Sequence, residues 1–489
     1  MSVIFPEFVP NIIAGKEEPS HSGRTVDKFN PATGQILCRL ARSGADEIAL
    51  SVAAAKAAQP AWEAIPAVRR GLILLELVQA MKARRQEIAH IVALETGKSP
   101  KEAMAETDGA IQCGLFFAGE GQRLYGRTCT SAAPNKHALT IRQAVGVAGL
   151  IIAANTPIAN VAWKIFPALI CGNAVVLKAA EDTPATAWIV GRLAKEAGLP
   201  DGVLNIVQGL GEEAGAPLVA HEDVGVVSFT GSSAVGRIIA EVAGKRLAKV
   251  SLELGGKNPL VVCDDADLDK AVRWTILSAF SNAGQRCASG SRIIVFDTIY
   301  EEFRHRLLSA TKALKVGPSD NDDFGPVINE KQLVIMVDAV KKAVAAGAAL
   351  LCGGERMTDP DHALGFYMAP TILENVKPQD EISTHELFGP IMCLYRVRDL
   401  AEALALANDS PYGLTACIHT KNFDRAGEFC LKVKTGVAVV NAGTFGSEPH
   451  MPFGGRGLSG NGTREPGTEA LDIYSELKDV YLNFDPDAV

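Results

Sequence analysis

None of the ten cysteines is paired as CxxC, and none of the nine histidines forms HxxxH. Those absences remove the zinc-ribbon and thioredoxin-like readings, so no metal is expected. The cysteines are scattered from Cys38 to Cys430, which suits free thiols in a reducing compartment and a cytoplasmic location. Blocks of like charge are missing, and the net charge is -8. Neither nucleic acid nor an anionic membrane surface is therefore an expected partner. The opening MSVIFPEFVPNIIAG has no basic stretch before an apolar core, so no signal peptide is expected. One charge-free run, residues 143–163, is long enough to span a bilayer. Asn155, Pro157 and Asn160 interrupt it, and VGVAGLII before them reads as a strand buried on both faces. Internal repeats, low-complexity tracts and long linkers are also missing.

What remains is a chain of 489 residues, 47% hydrophobic and 21% charged, with room for two or three domains. Residues 44–120 read as helical, with Gly97 as a stop. Short apolar strands then alternate with helices: strands at 145–154, 174–178, 203–207, 224–229 and 250–254, helices at 158–171, 184–198 and 233–243. Thr183 is placed to cap the helix that Pro184 opens. A second set follows, with strands at SRIIVFD, PIMCLYRV and GVAVVN and helices at 299–314, 330–346 and 400–408. The expected fold class is α/β, with two doubly wound domains and a site in the cleft between them.

Two glycine-rich stretches bear on phosphate binding. Gly209, Gly211 and Gly215 miss the dinucleotide fingerprint by one residue. Gly231 to Arg237 has P-loop spacing, but Arg237-Ile238 stands where Lys-Ser/Thr is needed, which excludes a nucleotide triphosphatase. VVSFTGSSAVGRII still reads as strand, glycine turn and helix, and the free amides of such a helix start suit a pyrophosphate.

GQRCASGSR, residues 284–292, places Cys287 between two arginines among small residues. A free cysteine of this kind is either a small core residue or a nucleophile. Together with LELGGKNP, FTGSSAVG, VVLKAAEDTP, ELFGPI and PFGG, the stretch resembles the NAD(P)-dependent aldehyde dehydrogenase superfamily over nearly the whole chain. The resemblance implies Cys287 as nucleophile, Glu253 as general base, Asn155 as oxyanion donor and Lys178 in both the catalytic and the cofactor set. It implies further cofactor contacts at Glu181, Gly231, Ser232, Glu386 and Phe388. It also implies a cofactor domain (1–122 and 145–255), a catalytic domain (256–457) and a small β bridging element (123–144 and 473–489) that mediates homodimers or homotetramers. AANTP replaces the bulkier family sequence around Asn155, which puts the pocket's shape in question.

The chemistry explains why such residues are needed. A free thiol is only about 3% thiolate at pH 7, so positive charge from a nicotinamide or from Arg286 would activate it, unless Arg286 faces away to an acid. The tetrahedral oxyanion needs preset donors, the Asn155 amide and the Cys287 N–H; Asn155 as a helix cap is the competing reading. Glu253, among apolar neighbours, would activate water for thioester hydrolysis, unless it is paired to a Lys or Arg. A CoA-acylating semialdehyde dehydrogenase would not need that base, and a cysteine hydrolase or esterase would not need a cofactor loop. Glu181 can accept hydrogen bonds from ribose hydroxyls and repel a 2′-phosphate, so NAD is the expected cofactor. Thr156, Asn160 and Ser281, beside Trp163 and Phe453, suggest a polar or functionalised aldehyde.

Overall fold

A computed structural model of the protein describes residues 5–484. Residues 1–4 of the expected cofactor domain and 485–489 of the expected bridging element lie outside the described residues. Seven strands form a first sheet, in the spatial order Lys249–Glu253, Val224–Thr230, Val147–Ile151, Ala174–Lys178, Leu204–Val207, Asn11–Ile13, Lys16–Glu18. The first five are parallel. Alternation along one strand fills both faces: Val175 and Leu177 pack into one core, Ala174 and Val176 into the other. Of the parallel strands Val147–Ile151 comes first in the chain and lies at the centre. The chain winds outward one way from it, then returns and winds the other way. In such a sheet ligands lie beyond the carboxyl ends of the strands at the reversal. Register puts Lys178 opposite Ile151, Ile151 opposite Phe229, and Thr230 opposite Glu253, so Lys178 and Glu253 end on the same edge.

The second sheet runs Ala349–Cys352, Thr371–Glu374, Ile391–Val397, Gly290–Phe296, Asn258–Val262, Thr415–His419, Val437–Val440. All neighbours are parallel except the first pair. The α/β class with two doubly wound sheets is thus observed. Asn258–Val262 and Thr415–His419 are fully buried five-residue strands that the sequence reading did not pick out. A three-stranded antiparallel sheet joins Ser475–Asn483, Lys136–Ala144 and Thr128–Thr130.

One expected cap is corrected. Thr183 precedes the helix Pro184–Glu196, but its side chain makes no capping bond. The buried Glu95 carboxylate accepts from the amides of Ala185 (2.6 Å) and Thr186 (3.1 Å) instead. A carboxylate from another helix serves the same free amides and the same dipole end.

Candidate active site

Cys287 follows a turn, Ser281–Gly284, in which Asn282, Ala283 and Gly284 have φ of 53°, 53° and 69°. A side chain at Gly284 would collide with the Gly389 carbonyl, so only glycine fits there. Asn258 Nδ2 donates to the carbonyls of Cys287 (2.7 Å) and Ser289 (2.9 Å), pinning the loop from the neighbouring strand. The thiol is pushed up to about 12, first by burial, then by the charges of Glu386 and Glu253; Arg286 opposes this weakly. Arg286 faces an acid: its guanidinium lies 3.7 Å from Glu102 and 5.1 Å from the Phe445 ring centre.

Asn155 lies beyond the central strand. Its Nδ2 donates to the Gln285 carbonyl (2.9 Å), two residues before Cys287. It does not cap the helix Pro157–Ile170; Glu106 Oε1 accepts from the amides of Ile158 (3.0 Å) and Ala159 (3.3 Å). The Asn155 side chain is therefore directed to the nucleophile loop, with a second amide hydrogen left for another acceptor.

Glu253 ends its strand with 5% exposure, and neither carboxylate oxygen has a hydrogen-bond partner. Burial, then the charge of Glu465, holds its carboxyl well above the usual range, against the pull of Lys164 and Arg464. The alternative of a glutamate bonded to Lys or Arg is not what is seen. Behind it lies a fully bonded array. Lys164 Nζ donates to Glu465 Oε2 (2.7 Å) and Ser228 Oγ (2.6 Å), and Glu465 Oε1 accepts from Ser228 (2.8 Å) and Tyr474 (2.7 Å).

Around Cys287 the wall is aromatic. Trp163 and Phe445 pack with it against Ala288, Leu414 and Phe453, and the Trp163 and Phe453 ring centres are 5.6 Å apart. The three polar residues expected to set its character bond locally instead. Asn160 Nδ2 donates to Thr156 Oγ1 (3.0 Å) and the Thr156 carbonyl (2.9 Å), and Ser281 Oγ donates to the Leu277 carbonyl (2.6 Å). They do not carry the argument for a polar pocket.

Residues 18–480 match the model of the aldehyde dehydrogenase family. This chain belongs to the aldehyde dehydrogenase family. Its relatives include alpha-ketoglutaric semialdehyde dehydrogenase of Bacillus subtilis, 38% identical over 96% of this chain and 97% of that protein. Among solved structures it is similar to betaine aldehyde dehydrogenase of Staphylococcus aureus in complex with NAD+ (32% identity, TM-score 0.95, 98% and 95% of the two chains covered). It is equally similar to an E. coli NADP-dependent enzyme (36%, TM-score 0.94, 98% of each).

The other strand ends of the enzyme supply groups that fit a dinucleotide. Lys178 Nζ, nearly buried, pairs with Glu181 Oε2 at 2.6 Å, and Glu181 is half-exposed. The pair sets a buried ammonium beside a half-exposed carboxylate. The helix Ser233–Lys245 opens from Gly231 and Ser232, whose Oγ accepts from the Val235 amide (3.4 Å), and its first turn faces outward, a setting suited to a pyrophosphate. A side chain at Gly231 would collide with the Phe229 ring. Glu386 Oε1 accepts from the Gly256 amide (2.8 Å), its carboxyl is pushed up to about 7 by burial, and Gly255 leaves it space that a Cβ would fill. Phe388 has φ 57°. The donor and acceptor set, with a helix N-terminus between, suits a nicotinamide dinucleotide.

Sequence reasoning missed Lys164 and Glu465. Lys164 is the only charged residue of the otherwise apolar helix PIANVAWKIFPALI, which was the available signal. Glu102, Glu106 and Lys98 were missed too, because they read as ordinary charges near a helix start.

Proposed function

We propose that the chain oxidises an aldehyde to a carboxylic acid with NAD, through a covalent Cys287 intermediate hydrolysed with Glu253 as base. The observation that carries this is the unpartnered, buried Glu253 carboxylate within electrostatic reach of the Cys287 thiol. A CoA-acylating enzyme has no use for such a base.

Burial and the charges of Glu386 and Glu253 raise the Cys287 thiol, which disfavours the thiolate in the free protein. The resting nucleophile is the protonated thiol, and the Arg286–Glu102 pair does little to change that. Once the thiol proton has passed to water, Sγ bonds to the carbonyl carbon and the oxygen becomes an oxyanion. The second Asn155 amide hydrogen and the Cys287 N–H are the donors for it. When bound, NAD would supply a hydride acceptor; loss of hydride from the former carbonyl carbon leaves a thioester on Cys287. Glu253 takes a proton from water, whose oxygen adds to the thioester carbon. Cleavage of the S–C bond then releases the acid. Because Glu253 works only when ionised and is held above the usual carboxylate range, hydrolysis quickens as pH rises through its raised value.

Lys178, Glu181, Gly231, Ser232, Glu386 and Phe388 are assigned to the cofactor, and Glu181 favours NAD over NADP. A functionalised aldehyde remains the proposed substrate, supported by the semialdehyde named for the Bacillus subtilis relative and by Arg286 over the aromatic wall. Residues 1–122 with 145–255 are assigned to the cofactor, 256–457 to catalysis, and 123–144 with 473–489 to bridging. The exposed Ile141, Leu477, Tyr481 and Leu482 on that last sheet support a homo-oligomer. Ten free cysteines support a reducing, cytoplasmic setting. Cys287→Ala should abolish NADH formation while NAD still binds by titration calorimetry. Turnover above a trace would remove Cys287 from the nucleophile role.

A further inference from the structure

Glu102 and Glu106 sit one turn apart on the helix Pro100–Glu120. Acids near a helix start ordinarily face solvent and answer the dipole. These two turn inward, each to a different side of the reaction centre. We propose that Glu102 and Glu106 are positioning residues that hold the oxyanion donor Asn155 in register with the Cys287 loop. The inference rests on the reading of Asn155 and Cys287 given above.

Glu106 acts on the Asn155 side. Its Oε1 accepts from the Ile158 and Ala159 amides, fixing the helix that starts just after Asn155. Its Oε2 pairs with Lys98 Nζ at 2.5 Å, and both side chains are buried. The same ammonium donates to the Asn155 carbonyl at 2.9 Å. The carboxylate thus holds the asparagine backbone from both sides, through an ammonium and through the helix.

Glu102 acts on the other side. Its Oε1 accepts from the Asn282 amide (3.1 Å) and faces Arg286, the neighbour of Cys287. Asn282 is held in a left-handed conformation, which the surroundings must impose. Asn282 Nδ2 then donates to the Asn155 carbonyl (3.2 Å) and the Gln285 carbonyl (3.1 Å). Asn155 Nδ2 returns a bond to Gln285. The two loops are stitched to each other, and each is tied to one turn of one helix. Since a misplacement of about 1 Å can cost about 100-fold in rate, a rigid common support matters most to the step that forms the oxyanion.

The test uses the full-length enzyme with NAD and an aldehyde, reading the NADH burst rate by rapid mixing in Glu106→Gln, Asn155→Ala and the double variant. Glu106→Gln is expected to slow the burst about tenfold or more, with the Kd for NAD unchanged. In the Asn155→Ala background it should add little, because the donor it positions is gone. A wild-type burst in Glu106→Gln overturns the inference. So does a slowed burst in Asn155→Ala with losses that multiply in the double variant, which would leave the Asn155 assignment standing. An unchanged burst in Asn155→Ala overturns the oxyanion assignment and this inference with it. If Glu106→Gln does not fold, Lys98→Met and Lys98→Arg read the same link: Lys98→Arg should restore most of the burst that Lys98→Met loses, and equal bursts in the two would contradict the proposal.

Discussion

Glu465 and Glu253 are buried acids of one site in opposite conditions. Glu465 is held by Lys164, Ser228 and Tyr474; Glu253 has no partner on either oxygen. Glu181 stands between them, paired to a buried lysine but half-exposed. A satisfied buried carboxylate fixes structure, whereas an unsatisfied one stores a destabilising group that chemistry can use. The contrast teaches that burial alone does not mark a reactive acid; the missing partner does.

The sharpest way to break this contrast is to remove the partner from Glu465. Lys164→Met should cost about 3–5 kcal/mol in denaturant unfolding, because it leaves a buried charge unpaired. A loss below about 1 kcal/mol would show that the array is not structural.

Next in size is the half-exposed case. Glu181→Ser should narrow the NAD-over-NADP ratio of kcat/KM, expected at about ten- to a thousandfold in the wild type, since each 1.4 kcal/mol is about tenfold. An unchanged ratio would separate Glu181 from cofactor choice.

The smallest effect belongs to the stability of Glu253 itself. Its folded value is raised, so the stability linked to its protonation is complete below the ordinary carboxylate range and is lost as pH rises through the raised value. Glu253→Gln removes that loss. The variant should be as stable as wild type or better by on the order of 1 kcal/mol at pH 8, with the gain vanishing near pH 4. Clear destabilisation at pH 8 would mean that Glu253 is structurally bonded after all.

How much of this could be read beforehand follows from sequence distance. The strand Ala174–Lys178 and the helix Leu400–Asn408 were legible because their apolar patterns are local. The Cys287 loop and the Gly231 turn were legible as short motifs. The partner of Lys164 lies 301 residues away, and a single lysine in an apolar helix names no partner. Glu95 takes the amides that Thr183 was expected to cap, and Glu106 those that the competing reading gave to Asn155, because amides at a helix start donate to any carboxylate the fold brings to them. Thr156 and Asn160 looked like pocket polarity, yet one helical turn lets them satisfy each other.

The account stands most directly on the division of labour between Cys287 and Glu253. Rapid mixing of Glu253→Gln with NAD and a good aldehyde measures it, together with the mass of the quenched protein. The expected result is a near-stoichiometric burst of NADH, a steady phase slowed about 10²–10⁴-fold, and a protein heavier by one acyl group. A burst and a steady phase reduced equally, with no acyl-enzyme, would contradict the assignment of Glu253 as the hydrolytic base.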